Sequence, residues 1–295
     1  MKDLFSILRI HIVLIGIFGA MVFGWLLTDR YLWWVALIGG VDWLLINLAN
    51  RVSDLREDRR NAIPGSERIA ADPTRYLTVF FILLIGSFAV TALLFPELTG
   101  WRLFMQFVGF IYNFRVIPWP GGPRRLKDIY LLKNLMSALG FVTTCFGYTL
   151  AYTGYQPLIG WTGTIALILF FIPFELTYEI LYDLRDVEGD RAQGVPTYPV
   201  AHGEAVTQKI INTLLPLSVA VLVVSFFLGF LGVKEILIGA GPIIQFFLFR
   251  PMLRRGPTTG DCIFATNFGV ALLVVYLAVT RLWLDVGLPE NIYFS

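Results

Sequence analysis

Two short stretches carry oxygen-bearing side chains at helical spacing. In NRVSDLRED, residues 50–58, Asn50, Asp54 and Asp58 stand four residues apart. In YEILYDLRDVEGD, residues 178–190, Glu179 is followed by Asp183, Asp186 and Asp190 at offsets of 4, 7 and 11. At 3.6 residues per turn each set falls on one helix face, with groups four residues apart separated by about 6 Å along the axis. One such stripe could be a solvated helix end whose acids pair with arginines at i, i+3 or i+4. Two of them, each followed by a basic loop, point to a shared task. Carboxylates and an amide oxygen suit magnesium, which keeps several waters and binds through a few carboxylates plus substrate phosphate. Arginines and lysines in the same loops would hold the remaining phosphate oxygens, so the natural ligand is a diphosphate.

The elements that position these stripes belong to a membrane. The chain has 295 residues, 57% of them hydrophobic and 15% charged, with mean hydropathy +0.71, which is beyond what a soluble domain of this length carries. A net charge of +2 gives no sign of a nucleic-acid partner. Cys145 and Cys262 lie in apolar runs and make neither a metal site nor a disulfide framework. Apolar spans are predicted at about 10–27, 31–50, 76–95, 99–114, 129–152, 158–182, 206–231, 234–250 and 262–284. The expected fold is all-α and polytopic, nine transmembrane helices in one domain over 1–295, with cap loops at about 50–75, 113–128 and 183–205. The first apolar stretch is long enough to span and ends at Asp29-Arg30 without a small-residue cleavage site, so it reads as a permanent helix.

Basic residues orient this bundle. Of 23 lysines and arginines, all but Arg30, Arg102, Lys234 and Arg281 fall on the side that receives the N-terminus. The positive-inside rule places that side in the cytoplasm, and an odd number of spans places the C-terminus outside. Both acidic stripes then lie at the cytoplasmic ends of their helices. Trp33, Trp34, Trp101, Trp119, Trp161 and Trp283 fall near span ends, as an interfacial belt does. The expected location is the cell (inner) membrane, with no nucleic acid and no obligate protein partner.

A diphosphate held at the mouth of an apolar, aromatic-rich bundle has a hydrocarbon for its organic part. An allylic prenyl diphosphate fits: metal would neutralise the departing diphosphate, aromatic faces would shelter the allylic cation, and apolar walls would exclude water. At this point the residues resemble a known family, the UbiA-type intramembrane prenyltransferases, whose fold is nine transmembrane helices around a lipid-facing cavity. NRVSDLRED is similar to the family's Asn-Asp/Gln-x-x-Asp-x-x-x-Asp motif, with Asn50, Asp54 and Asp58 matching and Arg51 departing. DLRDVEGDRAQGVPTYPVAHG resembles Asp-x-x-Asp-x-x-Gly-Asp, Gly, Thr-x-Pro, Gly, the pattern of members acting on chlorophyllide, homogentisate, naphthoquinone precursors or geranylgeranylglyceryl phosphate. IYNFRVIPWPGGPRRLKDIYLLKN resembles the family's Tyr-Ser, Leu-Lys, Asn segment, with Tyr112, Lys127 and Asn134 matching and Asn113 in place of the small hydroxyl residue.

The resemblance implies a magnesium-dependent prenyltransferase that joins a prenyl diphosphate to a hydrophobic or aromatic acceptor or another membrane lipid. It implies that Asn50, Asp54, Asp58, Asp183, Asp186 and Asp190 organise the metal. Tyr112 and Lys127 join the catalytic set, and Lys127 contacts the diphosphate with help from Asn50, Arg124 and Arg125. Arg51 cannot ligate a cation, so it either binds phosphate or points outward into headgroups. Asp42 lies two turns before Asn50, and Glu175 one turn before Glu179. Ionisable groups at that depth are expensive, so Asp42, Glu175 and Glu179 either act as deep acid/base groups or are hydrogen-bonded structural acids. Two other readings remain open at this stage: a terpene cyclase of the same fold, and an organic-anion transporter.

Overall fold

The structure is a computed structural model that describes residues 2–60 and 63–286. The C-terminal end and Asn61-Ala62 of the first cap lie outside the described residues. The described chain is all-α: α1 (Lys2–Leu8), α2 (Ile10–Thr28), α3 (Trp33–Ser53), α4 (Leu55–Arg60), α5 (Ser66–Ala71), α6 (Pro73–Leu94), α7 (Pro96–Asn113), α8 (Leu132–Val142), α9 (Tyr148–Tyr152), α10 (Gly160–Gln193), α11 (Tyr198–His202), α12 (Glu204–Phe227), α13 (Val233–Ile236), α14 (Ala240–Arg255) and α15 (Thr259–Asp285). Its one β feature is an isolated antiparallel bridge between Ile117 and Arg124. Thr143–Gly147 winds as a π turn and joins α8 to α9 in a single membrane-length rod.

Among the described residues eight helices are long and apolar enough to cross a membrane. The remaining predicted span is present as α7, 18 residues that include Glu97, Arg102, Gln106 and Asn113. Arg102 was assigned by position to the outer side, but it is fully buried and turns inward to Asp42. The polarity that sets α7 apart is therefore internal.

Local chemistry marks the helix ends. The Asp72 side chain accepts from the Arg75 backbone N–H at 3.0 Å, and Pro73 opens α6. Pro96 opens α7 in the same manner. The longest element, α10, runs 34 residues through Pro173 and stops at Gly194, whose φ of 70° is a left-handed cap. The expected cap over 183–205 therefore begins as helix, and all four acids of the second stripe ride on one rod.

α2, α3, the α8–α9 rod and α10 form the buried centre, while α6 is exposed along most of its length, as a lipid-facing helix is. Small residues let the central helices approach. A Cβ on Gly16 would stand 2.7 Å from Trp43 Cδ1, and one on Gly40 would collide with Ile17. Cys145 and Cys262 are free and buried, as packing residues are.

Candidate active site

The first acidic stripe straddles a helix break. α3 ends at Ser53, and Asp54 takes φ −97° and ψ 11° before α4 begins. The i→i+4 bonds nonetheless continue, from the Asp54 N–H to Asn50 O at 2.9 Å and from the Asp58 N–H to Asp54 O at 2.8 Å. The three side chains thus stay on one face and all are buried. Asn50 Nδ2 donates to Asp54 Oδ2 at 2.6 Å and to Asn113 Oδ1 at 2.9 Å. Asn113, where the resemblance expects a small hydroxyl, is the residue that props Asn50.

Cations from a distant loop meet this ridge. Arg125 Nη1 donates to Asp54 Oδ1 at 3.0 Å, and the Lys127 ammonium donates to Asp54 Oδ2. Burial alone would raise the Asp54 carboxyl, but Lys127 and Arg125 outweigh it and hold the group below the usual carboxylate range. Arg125 is itself braced by Asp128 Oδ1 at 2.8 Å. Arg124 takes another course: it is exposed and stacks over Trp119 at 5.1 Å, and it is not among the described residues lining the cavity. Arg51 turns inward, where Nη1 donates to Asp58 Oδ2 at 2.7 Å and Nη2 to Ser6 O at 3.0 Å. It ties the ridge to α1 and does not reach into headgroups.

The second ridge faces α8. Lys133 Nζ donates to Asp183 Oδ1 at 2.7 Å and lies 3.4 Å from Asp190 Oδ2. Asn134 Nδ2 donates to Asp183 Oδ2 at 2.8 Å, and Ser137 Oγ to Glu179 Oε1 at 2.8 Å. Asp186 pairs with its neighbour Arg185, which lies over the Tyr182 ring. Asp190 Oδ1 is buried without a hydrogen-bond partner.

Both ridges open into one cavity of about 490 Å³. Asn50, Arg51, Asp54, Asp58, Tyr112, Lys127, Lys133, Glu175, Glu179, Asp183 and Asp186 all line it, while Phe23, Phe141, Phe171, Phe174 and Tyr178 form aromatic walls. Asp190 joins through Lys133. Tyr112 sits between the ridges, within electrostatic reach of Asp54, Asp183, Glu179 and Lys133. Asp42 is elsewhere. It is fully buried and accepts from Arg102 at 2.8 and 2.9 Å, from Tyr148 at 2.7 Å and from Gln106 at 2.9 Å, in a closed network away from the cavity. Of the three deep acids, only Glu175 and Glu179 face the cavity.

By position in the sequence Lys133 and Arg9 read merely as cytoplasmic charges. Arg9 lines the cavity from the left-handed break between α1 and α2, with φ 46° and ψ 48°, and its charge acts on groups of both ridges, Asp54 and Glu179. A signal for Lys133 did exist: Lys133, Asn134 and Ser137 stand at i, i+1 and i+4, the offsets of one helix face.

The donor set fits a hard cation by its chemistry, since carboxylate and amide oxygens converge and Asp190 Oδ1 is an orphan acceptor. Among the described residues no three of His, Cys, Asp or Glu cluster closely enough to cage an ion. Magnesium is ordinarily held by one or two carboxylates with water and substrate phosphate, so such a cage is not required.

Fold and site together define an intramembrane helical protein with a charged mouth above an aromatic chamber. Residues 12–268 match the UbiA prenyltransferase family, and the chain belongs to it. The fold is similar to that of a UbiA homolog from Archaeoglobus fulgidus bound to DMAPP and Mg2+, with TM-score 0.68 at 18% identity over 93% of this chain and 98% of that one. The same homolog bound to GPP and Mg2+ matches with TM-score 0.67 at 17% identity, over 94% and 99% of the two chains. In sequence, the chain is 38% identical over 100 residues to digeranylgeranylglyceryl phosphate synthase of Methanopyrus kandleri, covering 33% of this chain and 34% of that protein. It is 36% identical over 95 residues to protoheme IX farnesyltransferase 2 of Bacillus velezensis, covering 28% and 29%. These matched stretches span about a third of each relative.

Proposed function

We propose that the protein transfers a prenyl group from an allylic prenyl diphosphate to a membrane-soluble acceptor, an aromatic or quinone precursor or another lipid. The observation that carries this reading is the convergence of two acidic ridges, from α3–α4 and α10, on one cavity whose remaining walls are aromatic and apolar. Family membership supports it, and so do relatives named for prenyl transfer. The surplus of basic residues around the mouth supports a cytoplasmic entrance in the cell membrane.

Each aspartate of the ridges is matched by a cation of the chain: Asp54 by Lys127 and Arg125, Asp58 by Arg51, Asp183 and Asp190 by Lys133, and Asp186 by Arg185. A diphosphate at the mouth would compete for those cations and leave carboxylates that could hold magnesium. Asn50, Asp54 and Asp58 would hold it on one side, and Asp183, Asp186 and Asp190 on the other. When bound, magnesium neutralises charge on the departing diphosphate. Lys127, Lys133 and Arg9, which line the cavity, orient the phosphate oxygens, Arg125 supports them through Asp54, and Tyr112 closes the space between the ridges. Phe23, Phe141, Phe171, Phe174 and Tyr178 shelter the allylic cation and exclude water.

The test is to incubate purified protein and Mg2+ with geranyl, farnesyl or geranylgeranyl diphosphate and a membrane lipid extract, measuring released diphosphate and new prenylated lipids by mass spectrometry. Release of diphosphate together with an adduct is the expected result. A cyclic hydrocarbon or alcohol formed without acceptor would replace transfer by cyclisation, and flux of intact donor across liposomes without diphosphate release would replace it by transport.

A further inference from the structure

Glu175 is the deeper of the two acids of the cavity, with Glu179, that the diphosphate end does not employ. It stands two turns deeper on α10 than Asp183, about 12 Å along the axis, and its side chain lines the cavity. The residue is 5% exposed, and its Oε2 is buried without a hydrogen-bond partner. Among the described residues the one charged group that acts on it is another acid, Glu179. Phe171 precedes it by one turn, Phe174 is its immediate neighbour, Tyr178 follows three residues on, and all three line the same chamber. A carboxyl without a counter-cation at membrane depth is costly to keep. The contrast with Asp42 is direct, because that equally deep acid is closed off by Arg102, Tyr148 and Gln106. Glu175 keeps an acceptor atom without a partner on a side chain that lines the aromatic part of the cavity.

Building on the prenyl-transfer reading, we infer that Glu175 is the acceptor's partner: its carboxylate receives a hydrogen bond from the O–H or N–H that activates the acceptor and takes that proton as the new bond forms. The allylic C–O bond breaks and its electron pair leaves with the diphosphate. An electron pair of the acceptor then forms the bond to the first prenyl carbon, and the acceptor's proton passes to Glu175. Glu179, one turn nearer the mouth, is the next carboxyl along the helix face and carries the proton outward. The acceptors this favours bear a weakly acidic hydroxyl or amine beside an apolar body, since the carboxyl at this depth is flanked along the helix by Phe171, Phe174 and Tyr178.

The test uses the full-length protein in detergent or liposomes with geranylgeranyl diphosphate, Mg2+ and the membrane lipid extract as acceptor source, reading diphosphate, geranylgeraniol and prenyl-lipid adduct separately. For Glu175→Gln, adduct formation is expected to fall about 100-fold while diphosphate release stays within about threefold of wild type, the prenyl group appearing as alcohol. Glu175→Asp is expected to recover part of the adduct. Equal adduct yield from wild type and Glu175→Gln would overturn the inference, as would equal loss of adduct and diphosphate in both variants. If Glu175→Gln does not fold, as judged by size-exclusion chromatography, Glu175→Asp decides alone: adduct lost relative to diphosphate supports the role, and proportionate loss overturns it. Wild-type protein that releases no diphosphate from any donor would instead remove the prenyl-transfer reading, and this inference with it.

Discussion

Lys133 and Asp183 are 2.7 Å apart across the α8–α10 contact, and the same ammonium lies 3.4 Å from Asp190. One ammonium therefore serves two nearly inaccessible carboxylates, and its removal has consequences for both stability and catalysis. For Lys133→Met, the loss expected for breaking a buried ion pair is about 3–5 kcal/mol, measurable as a lowered thermal midpoint in detergent. Added Mg2+ should restore part of that loss in the variant and much less in wild type, because the ion would take over a charge that the lysine supplies. Equal magnesium effects on both proteins would show that the ion does not take over the charge that Lys133 supplies.

Asp54→Asn and Asp190→Asn should each lower diphosphate release by at least about 100-fold, the scale on which losing an electrostatic contact to a transferring group acts. Both proteins should still elute as folded species. Wild-type turnover in either variant would remove that residue from the ionising machinery.

Asp42 leads to the opposite expectation. Asp42→Asn leaves Arg102 buried without its charge partner and should destabilise by about 3–5 kcal/mol, with diphosphate release per folded molecule little changed. The double variant Asp42→Leu with Arg102→Met removes both charges and should regain much of the lost midpoint. A specific loss of turnover in folded Asp42→Asn would place this acid in the reaction after all.

Chelation with EDTA should abolish diphosphate release, and Mg2+ should restore it. Mg2+ with inorganic diphosphate should also raise the thermal midpoint, since a ligand at 100 times its Kd adds about 2.7 kcal/mol. In Asp190→Asn the rise should shrink or vanish, which provides a readout independent of turnover.

The helices and both acidic stripes were legible because run length and periodicity are local properties of the chain. Their partners were not. Lys133 meets Asp183 across 50 positions and Lys127 meets Asp54 across 73, and no local pattern carries such information. Arg102 misled for a related reason: a charge near a span end reads as a loop residue until the fold brings Asp42, 60 positions away, against it. The end of α10 was drawn too early because acids interrupt the apolar run after 182, although they continue the helix until Gly194 stops it. Arg9 was hidden by its setting, since a lone arginine between two apolar segments looks like an ordinary positive-inside residue.

The π turn at Thr143–Gly147 divides one rod between two duties. In an unbroken α-helix Ser137 and Tyr148, eleven residues apart, would share a face. Here Ser137 turns to Glu179 on α10 while Tyr148 turns to Asp42 on α3. The wider winding offsets the two halves, so the half nearer the charged mouth lines the cavity side and the other half seals an ion pair inside the bundle. Deleting a single residue from this segment would bring the halves back into phase, leaving the rod able to satisfy one neighbour only by abandoning the other.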